Sequence, residues 1–536
     1  MNQFTVAAMF RANVAERGDR PMFRMAGTTV TWAEHHRRAS SVSQALLAEG
    51  LSPGDRVAFL DRNGLPYFEV LFGGALMGAV NVAVNWRLAP AEMAGVIEDA
   101  RARVLVVEAG FLACLPAMTS GLPSVTRIVV IGDPDAVKAH ADEGGASDLG
   151  RRVGYEQWVE AADPLDPGYV GGPDEVSLQL YTSGTTGLPK GVMLANRNVA
   201  TMIEQAGTDA FGIDDSTVSL VAMPLFHIGG SGWALTAMSR GGVSVILRDI
   251  DPAELLRLIE DEGVTHAFVV PAVLMMLLAN PAIETTDLSS LDTIFYGASP
   301  IAEDVLVRCL STFGCRFAQV YGMTETSGAI VRLDHEDHDP GGARQHLLRA
   351  TGRPLPGVEI RIVDPDTGDI LGPDAVGEIW TRSGYNMLGY FDKPAETAST
   401  VVEGGWLRTG DAGYLDTDGY LFLHDRIKDM IVSGGENIYP AEVENVLLGL
   451  PGLVDAAVIG VPDDTWGETP KAIVVAGDGA HVTAEAVIAW CRDRLAHYKC
   501  PTSVDFVDVL PRNPSGKILK RELREPYWVG RQRRVH

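Results

Sequence analysis

Short apolar runs alternate with segments of helical periodicity along residues 50–340 of the chain. Runs that are typical of buried strands occupy residues 56–60, 104–107, 127–131, 244–247 and 266–270. Between them, segments such as 252–261 and 301–313 place apolar residues at helical spacing. Strands that alternate with helices predict an α/β fold, in which helices pack on largely parallel sheets.

The pattern changes after residue 350. Two short strands at 357–364 and 376–381 are joined by the turn sequence DPDTGD, which predicts a β-rich subdomain over 350–425. Near the C-terminus the predicted elements are two strands and two helices, at 456–461, 471–475, 441–448 and 484–496. We therefore expect a large N-terminal domain of layered α/β subdomains with this β-rich subdomain, followed by a small α+β C-terminal domain.

Length and composition set the class of protein. The chain has 536 residues, too many for one hydrophobic core, and 46% of them are apolar, which excludes a mainly disordered protein. The segment 70–80 is apolar but too short to span a membrane, so we predict a buried helix there. The N-terminus shows no basic region followed by an apolar core and a cleavage site.

Cysteine usage and charge narrow the compartment and the partners. Five cysteines lack C-x-x-C spacing, which argues against a disulfide framework or a zinc ribbon and favours a reducing cytoplasm. A net charge of −26 disfavours nucleic-acid binding, which needs basic patches. Anionic small molecules would have to be held by local cations and backbone dipoles.

The stretch YTSGTTGLPKG at 181–191 is the densest group of candidate ligand-binding residues. It follows an apolar run at 176–180 that predicts a strand. Gly184 and Gly187 permit turns and close approach to a ligand, and Lys190 adds a positive charge. Hydroxyl groups come from Thr182, Ser183, Thr185 and Thr186. Such a loop suits nucleotide phosphates, although its spacing is not that of a Walker A loop. A surface loop without a ligand is the alternative.

Further motifs follow in order along the chain: YGAS at 296–299, YGMTET at 321–326, GWLRTGD at 405–411, DGYLFLHDRIKDMI at 418–431, GGENIYPAEVE at 434–444 and PRNPSGKILKREL at 511–523. With the loop at 181–191, they resemble the motifs of the adenylate-forming superfamily, and in particular those of the acyl-CoA synthetases. The resemblance covers essentially the whole chain. It implies that the protein uses ATP, Mg²⁺ and coenzyme A (CoA).

The resemblance also implies an ATP site in the N-terminal domain. Glu325 matches the family's Mg²⁺ ligand, and Thr324 matches a hydroxyl that contacts phosphate. Tyr321 offers a ring for adenine, while Asp411 offers two acceptors for the ribose diol, with Arg426 nearby. Packing at Tyr321 and a structural ion pair between Asp411 and Arg426 are the alternatives. The implied ATP and AMP residues are Thr182, Ser183, Gly184, Thr185, Thr186, Gly187, Lys190, Gly297, Ala298, Ser299, Tyr321, Gly322, Thr324, Asp411 and Arg426.

Two lysines in the last third of the chain receive roles from the same resemblance. Lys517, in PSGK, matches the lysine that bridges the carboxylate and the α-phosphate during adenylation; a solvated lysine is the alternative. Lys428 matches the hinge about which the small domain rotates. The implied divisions are 1–425 for the AMP-binding domain, 426–430 for the hinge and 431–536 for the mobile C-terminal domain.

Domain rotation would bring a glycine-rich turn to the site in the second step. A channel for the CoA thiol would then be formed by Ser433, Gly434 and Gly435, because glycines allow an extended ligand to approach the backbone closely. Many family members have a lysine where Ser433 stands, which leaves the polar contacts of the channel open.

The acyl pocket is expected near the sequence PLFHIGG. His227 matches a residue near the acyl pocket in many relatives, and Ile228, Gly232 and Trp233 follow it. We expect His227 at the end of an apolar strand, where a core histidine without a ligand role is the alternative.

Two other motifs have weaker signals. The run DHEDHD at 334–339 is dense in potential metal ligands but lacks fixed-face periodicity, so we expect a solvated polar loop. The run GGSGW at 229–233 resembles a nucleophile elbow, but Trp233 stands where that motif needs glycine.

The resemblance implies an ATP-dependent carboxylic acid–CoA ligase that acts through an acyl adenylate and releases pyrophosphate and AMP. A fatty acid is the first choice of substrate, because the predicted pocket offers no obvious buried charge. An aryl acid of the cinnamate or benzoate type is the second. Amino acids are disfavoured because LFHIGGS has no aspartate to pair with an ammonium group. A non-catalytic nucleotide-binding protein on the same fold is the alternative of another class. Homodimerisation, and a carrier protein in place of CoA, stay open.

Overall fold

The computed structural model describes residues 4–114, 122–132, 152–182, 189–204, 208, 211–299, 301–426, 429–433, 436–463, 465–477, 479–512 and 518–529, with backbone alone at 425–426 and 436–437. The strands are β1 (Pro21–Met25), β2 (Thr28–Thr31), β3 (Arg56–Leu60), β4 (Val80–Ala83), β5 (Val104–Glu108), β6 (Arg127–Ile131), β7 (Arg152–Gly154), β8 (Val176–Thr182), β9 (Lys190–Ala195), β10 (Val218–Val221), β11 (Val243–Ile246), β12 (His266–Val269), β13 (Thr293–Gly297), β14 (Arg316–Met323), β15 (Gly328–Leu333), β16 (Arg353–Pro354), β17 (Glu359–Val363), β18 (Gly377–Arg382), β19 (Gly389–Tyr390), β20 (Val401–Val402), β21 (Trp406–Leu415), β22 (Leu421–Arg426), β23 (Ile431–Ser433), β24 (Glu436–Ile438), β25 (Leu453–Asp463), β26 (Gly467–Ala476) and β27 (Ser503–Phe506). The helices are α1 (Val6–Arg17), α2 (Trp32–Ala48), α3 (Leu65–Met77), α4 (Pro90–Asp99), α5 (Tyr155–Glu160), α6 (Asn196–Glu204), α7 (Ile228–Met238), α8 (Pro252–Glu262), α9 (Pro271–Ala279), α10 (Glu303–Phe313), α11 (Pro394–Thr400), α12 (Pro440–Leu448), α13 (Ala484–Arg492) and α14 (Lys520–Arg524).

Two large sheets with parallel centres confirm the α/β prediction. One has the described strand order β19-β9-β8-β4-β3-β5-β6-β7, and its central strands from β8 to β7 are parallel. The other has the order β16-β15-β14-β13-β12-β10-β11-β1-β2, and it is parallel from β14 to β1. A continuous hydrophobic core joins residues of both sheets, and in it the rings of Phe10 and Phe72 stack with centroids 4.2 Å apart.

The predicted β-rich subdomain is an antiparallel sheet. Its described order is β17-β18-β21-β20, and β22 also pairs with β21. The turn at 364–369 forms because the Asp364 carboxylate accepts the N–H groups of Asp366 and Thr367, at 2.9 and 3.0 Å. This local hydrogen bonding is what makes aspartate favourable at the start of a turn.

The C-terminal part has the predicted α+β character. Strands β23 to β27 form a separate sheet, with the order β24-β23-β26-β25 and β27 beside β26. Helices α12 and α13 contribute to its core through Val443, Leu447 and Val487. The predicted helix at 484–496 was too long, since α13 ends at Arg492. The N–H groups of Arg494 and Leu495 both donate to the carbonyl of Cys491, which closes the helix with a tight turn.

The predicted helix at 70–80 also ends earlier than expected. The apolar segment 70–80 is a buried helix only as far as Met77, where α3 ends. Gly78 adopts the left-handed conformation with φ of 84°, and Val80 already begins β4. Within the described ranges, no helix combines the length and the apolar character needed to cross a membrane.

Candidate functional site

The strands on either side of the predicted phosphate loop form an antiparallel hairpin. Their register places Thr182, the last residue of β8, opposite Lys190, the first residue of β9. The hairpin therefore brings the hydroxyl-bearing and the cationic end of the motif together. Five predicted loop residues lie outside the described residues: Ser183, Gly184, Thr185, Thr186 and Gly187.

Glu325 lies beside this hairpin with a buried carboxylate. It belongs to a short 3-10 turn, Thr324–Thr326, that follows β14, and it is 6% exposed. Thr182 donates its hydroxyl hydrogen to Oε1 of Glu325 at 3.3 Å, although 143 residues separate the two. Tyr390 donates to the same oxygen at 3.0 Å. Thr324 is also buried.

The surroundings of Glu325 fit a magnesium ion that is shared with a nucleotide. Among the described residues, no group of three His, Cys, Asp or Glu side chains could hold a metal ion. Mg²⁺ is commonly held by one or two carboxylates together with substrate phosphates. Glu325 supplies one such carboxylate beside the hairpin of β8 and β9, which flanks the predicted phosphate loop. It is therefore the residue that would hold the ion.

Tyr321 and Asp411 meet directly. Tyr321, in β14, donates its phenol hydrogen to Oδ2 of Asp411, in β21, at 2.7 Å. Asp411 is buried and lies opposite Arg426 in the β21–β22 register. Only the backbone of Arg426 is described, so the structure places it beside Asp411 without defining its side chain. The two predicted nucleotide contacts thus share one location.

Glycines allow the strands at this edge to approach closely. A Cβ atom on Gly297 would lie 2.1 Å from the carbonyl oxygen of Val320, and one on Gly322 would lie 1.8 Å from that of Gly328. No side chain fits at either position. Ala298 follows with φ of 65°, a left-handed conformation that is uncommon outside glycine, and Ser299 comes next. The YGAS and YGMT motifs therefore meet at adjacent strand ends.

An apolar pocket begins at these strand ends. Its empty volume, including the open mouth, is about 760 Å³. It is lined by the four predicted acyl-pocket residues together with three predicted nucleotide residues, namely His227, Ile228, Gly232, Trp233, Ala298, Tyr321 and Gly322. No Asp, Glu, Lys or Arg is found among its described lining residues. Tyr321 contacts Asp411 and also lines the pocket, which links the two predicted subsites.

His227 is not at a strand end, as expected, but caps a helix. Strand β10 ends at Val221, and His227 precedes α7, where its Nδ1 accepts the N–H of Gly229 at 3.0 Å. Burial lowers the pKa of His227 to about 4, so the ring is neutral at physiological pH and carries its hydrogen on Nε2. The histidine therefore presents a neutral polar edge to an otherwise apolar pocket.

Aromatic side chains that sequence reasoning missed form much of the pocket wall. The rings of Phe211 and Phe295 stack with centroids 5.1 Å apart, and Trp233 lies 5.3 Å from Phe295 and 6.2 Å from Phe268. Trp233 itself is fixed by a hydrogen bond from Nε1 to the carbonyl of Leu220 at 3.0 Å. Phe268 and Phe295 lie near the carboxyl ends of neighbouring parallel strands, where α/β proteins commonly bind ligands. This position is the one signal in the sequence that could have identified them.

The C-terminal predictions are only partly described. Ser433 ends β23 and pairs with Gly467 of β26. Lys428, Gly434, Gly435 and Lys517 lie outside the described residues. A β-bridge between Arg512 and Ile518 stands on either side of the segment that holds Lys517. The catalytic and channel roles of these residues stay predictions.

The DHEDHD run is only partly the solvated loop that we expected, since His335 and Glu336 are exposed but the next two residues are buried. Asp337 is buried and accepts hydrogen bonds from Tyr420 and Arg344, both at 3.0 Å. His338 is also buried, which lowers its pKa to about 4, and its Nε2 lies 3.0 Å from the Tyr296 hydroxyl. The polar atoms of Asp337 and His338 therefore already hydrogen-bond to other groups of the protein. The GGSGW run lies within α7, so it is not a nucleophile elbow.

The sequence and the fold are similar to those of known proteins. Residues 10–391 match the family described as AMP-binding enzyme, and residues 442–517 match its C-terminal domain. The chain is 41% identical to the fatty acid–[acyl-carrier-protein] ligase ScoC of Streptomyces coeruleorubidus, over 95% of this chain and 94% of that one. It is 38% identical to feruloyl-CoA synthase of an Amycolatopsis species, over 94% and 95%. The ATP-bound structure of MatB from Rhodopseudomonas palustris superposes with a TM-score of 0.84 at 30% identity, over 97% and 99%.

Proposed function

Because the chain belongs to the family of AMP-binding enzymes and is an adenylate-forming acid ligase, we propose that it joins a carboxylic acid to the thiol of CoA. In the first step a carboxylate oxygen attacks the α-phosphorus of ATP, and pyrophosphate leaves. In the second step the thiolate attacks the acyl carbon, and AMP leaves with the acid's oxygen. A non-catalytic nucleotide-binding protein on the same fold is disfavoured, because the sequence retains Lys517 and Glu325, the residues proposed for adenylation, together with Asp411.

The observation that carries the proposal is the position of Tyr321. Its hydroxyl is held by Asp411, the proposed ribose ligand, while it also lines the apolar pocket. An acid bound in the pocket would therefore meet the nucleotide at the strand ends. A carboxylate is a weak nucleophile, so the rate depends on positioning and on neutralising charge at phosphorus. Lys190 and Lys517 would supply charge from the protein, and bound Mg²⁺ supplies it at the phosphate oxygens.

The pocket walls favour an aromatic acid. Stacked and tilted rings add about 0.5–1.5 kcal/mol per aromatic pair beyond the area that they bury. The walls here offer Phe211, Trp233, Phe268 and Phe295, and no described charge. We therefore propose an aryl acid such as a cinnamate, and keep a fatty acid as the second candidate, because the described lining has no charged side chain and a relative of 41% identity is named as a fatty acid–[acyl-carrier-protein] ligase.

A panel of acids tests the substrate class. Purified protein is given ATP, MgCl₂, CoA and one acid at a time, from benzoate and cinnamates to fatty acids of increasing length. Pyrophosphate release and the mass of the acyl-CoA product are measured. We expect the highest kcat/KM with a cinnamate-type acid. A maximum at a long fatty acid would select the second candidate, and no product with any acid would contradict the ligase proposal.

The acceptor proposal rests on a basic and aromatic surface close to the pocket. The guanidinium groups of Arg62 and Arg87 lie 5.3 and 4.6 Å from the centroid of the Trp86 ring. Trp86 in turn lies 6.5 Å from Phe226, the neighbour of His227. In a chain with a net charge of −26, this local cluster is suited to the phosphates and the adenine ring of CoA.

Replacing Arg87 by alanine should therefore raise the KM for CoA by roughly 3- to 10-fold, as expected for one charge-assisted contact at an exposed position. Acid-dependent pyrophosphate exchange should not change, because CoA is absent from that half-reaction. Arg257→Ala, on the exposed face of α8, is the matched control. If the KM for CoA stays at the wild-type value, the acceptor binds elsewhere. A carrier protein that bears phosphopantetheine should then be tested as the acceptor.

Glu325→Gln should raise the Mg²⁺ concentration needed for half-maximal adenylation, since the amide keeps the size of the side chain but loses its charge. The acid's KM should change much less. The measurement is a titration of MgCl₂ against the rate of pyrophosphate exchange. An unchanged requirement for Mg²⁺ would place the metal ligand elsewhere.

A further inference from the structure

A two-residue strand from a distant part of the chain extends the hairpin formed by β8 and β9. Gly389 and Tyr390 form β19, which pairs antiparallel with β9 through Met193 and Val192. The next residue, Phe391, donates its N–H to the carbonyl of Gly191 at 2.8 Å. This pairing fixes the backbone of Tyr390 beside the start of β9, although the two strands are far apart in sequence.

The conformation at this strand is held from its other side. The N–H of Tyr390 donates to Oγ1 of Thr397 at 2.9 Å, and that hydroxyl donates to the carbonyl of Lys393 at 2.8 Å. Gly389 has φ of 147°, and a Cβ atom there would lie 2.6 Å from the Thr397 side chain. The position of Tyr390 is therefore defined by β9 and by the start of α11.

The Tyr390 side chain touches two proposed functional groups at once. It is 7% exposed, and its hydroxyl donates to Oε1 of Glu325 at 3.0 Å. Its ring lies under the Lys190 ammonium, with Nζ 4.9 Å from the centroid. The same segment also fixes the backbone of Glu325, whose carbonyl accepts the N–H of Met387 at 2.8 Å. Carboxylate and ammonium are thus oriented by one aromatic residue.

We propose that Tyr390 is a positioning residue that sets the orientation of the Glu325 carboxylate for Mg²⁺ and of Lys190 for the nucleotide phosphates. The inference rests on the proposed role of Glu325 as the metal ligand. The hydrogen bonds described at this carboxylate, from Tyr390 and Thr182, both use Oε1. Hydrogen bonds to a ligating carboxylate fix its geometry, and their loss commonly costs about 10- to 100-fold in metal affinity or activity.

Two substitutions separate the two contacts. Tyr390→Phe keeps the ring under Lys190 and removes the hydroxyl from Glu325, whereas Tyr390→Leu removes both. Mn²⁺ serves as the probe, and its binding to the protein–ATP complex is followed by electron paramagnetic resonance. ATP binding without metal is measured by calorimetry. We expect Tyr390→Phe to weaken Mn²⁺ binding about 10-fold or more, with metal-free ATP binding unchanged. Tyr390→Leu should also weaken metal-free ATP binding by a few-fold.

Tyr420 provides a matched control. It is 8% exposed and donates at 3.0 Å to a buried carboxylate, that of Asp337, which is not part of the proposed site. Tyr420→Phe therefore removes the same chemical group from a comparable environment. It should lower the melting temperature to a similar extent as Tyr390→Phe and leave Mn²⁺ binding unchanged.

The outcomes distinguish this inference from the proposed role of Glu325. If Glu325→Gln weakens Mn²⁺ binding and Tyr390→Phe does not, Tyr390 only packs and the inference is overturned. If neither variant alters Mn²⁺ binding, Glu325 is not the metal ligand, and the positioning role of Tyr390 is overturned with it. A loss of melting temperature in Tyr390→Phe without a change in Mn²⁺ binding would also overturn the positioning role.

Discussion

Replacing Lys517 by alanine should lower the rate of adenylate formation by about 10²-fold or more, because it removes a charge placed for the transition state. Thioester formation from supplied acyl-AMP should keep most of its rate, since that step starts after the α-phosphate has been attacked. Acid-dependent pyrophosphate exchange measures the first half-reaction. Acyl-CoA formation from synthetic acyl-AMP measures the second.

Lys520→Ala is an instructive comparison for this prediction. The Lys520 ammonium lies 2.9 Å from Oε1 of Glu444, and both side chains are largely buried. Breaking such a pair leaves an uncompensated charge, so the variant should lose stability and both half-reactions together. If Lys517→Ala showed the same uniform loss, Lys517 would be a structural residue and not the lysine of adenylation.

The substitution Lys428→Pro should abolish overall turnover by separating the two steps. Lys428 lies between the end of β22 at Arg426 and the start of β23 at Ile431, that is, between two different sheets. Proline fixes φ near −65° and removes an N–H group, so a hinge residue could no longer change its backbone angles. We expect the variant to retain one half-reaction and to lose the other.

Lys428→Ala keeps the backbone freedom of the chain and should be far milder, which controls for loss of the side chain. The two half-reactions are measured as for Lys517. A proline variant that performs both at nearly the wild-type rate would show that the small domain does not pivot at this residue.

Sequence reasoning succeeded where a local pattern reflects burial. The run 56–60 was predicted as a strand and is β3, because a parallel strand buried on both faces needs apolar residues almost continuously. Gly297 and Gly322 could be singled out by motif, and the structure gives the reason, which is the approach of neighbouring carbonyl groups. These signals are contained within a few residues of sequence.

Reasoning from sequence was wrong or silent where contacts join distant segments. Asp337 and His338 looked solvated, because their partners Tyr420 and Tyr296 lie far along the chain. Tyr390 was missed since a two-residue strand leaves no periodicity and Glu325, its partner, is 65 residues away. His227 was predicted at a strand end because the residues between β10 and α7 are mostly apolar, although they do not form a strand.

The attack of the acid on the α-phosphorus is tested most directly with a carboxylic acid labelled with ¹⁸O in both carboxylate oxygens. The labelled acid, ATP and CoA are incubated with the protein, and the AMP is analysed by mass spectrometry. The proposed mechanism requires that one labelled oxygen passes from the acid to the phosphate of AMP and that the other stays in the acyl-CoA. Unlabelled AMP, or label in inorganic phosphate together with ADP, would contradict an acyl-adenylate mechanism for this protein.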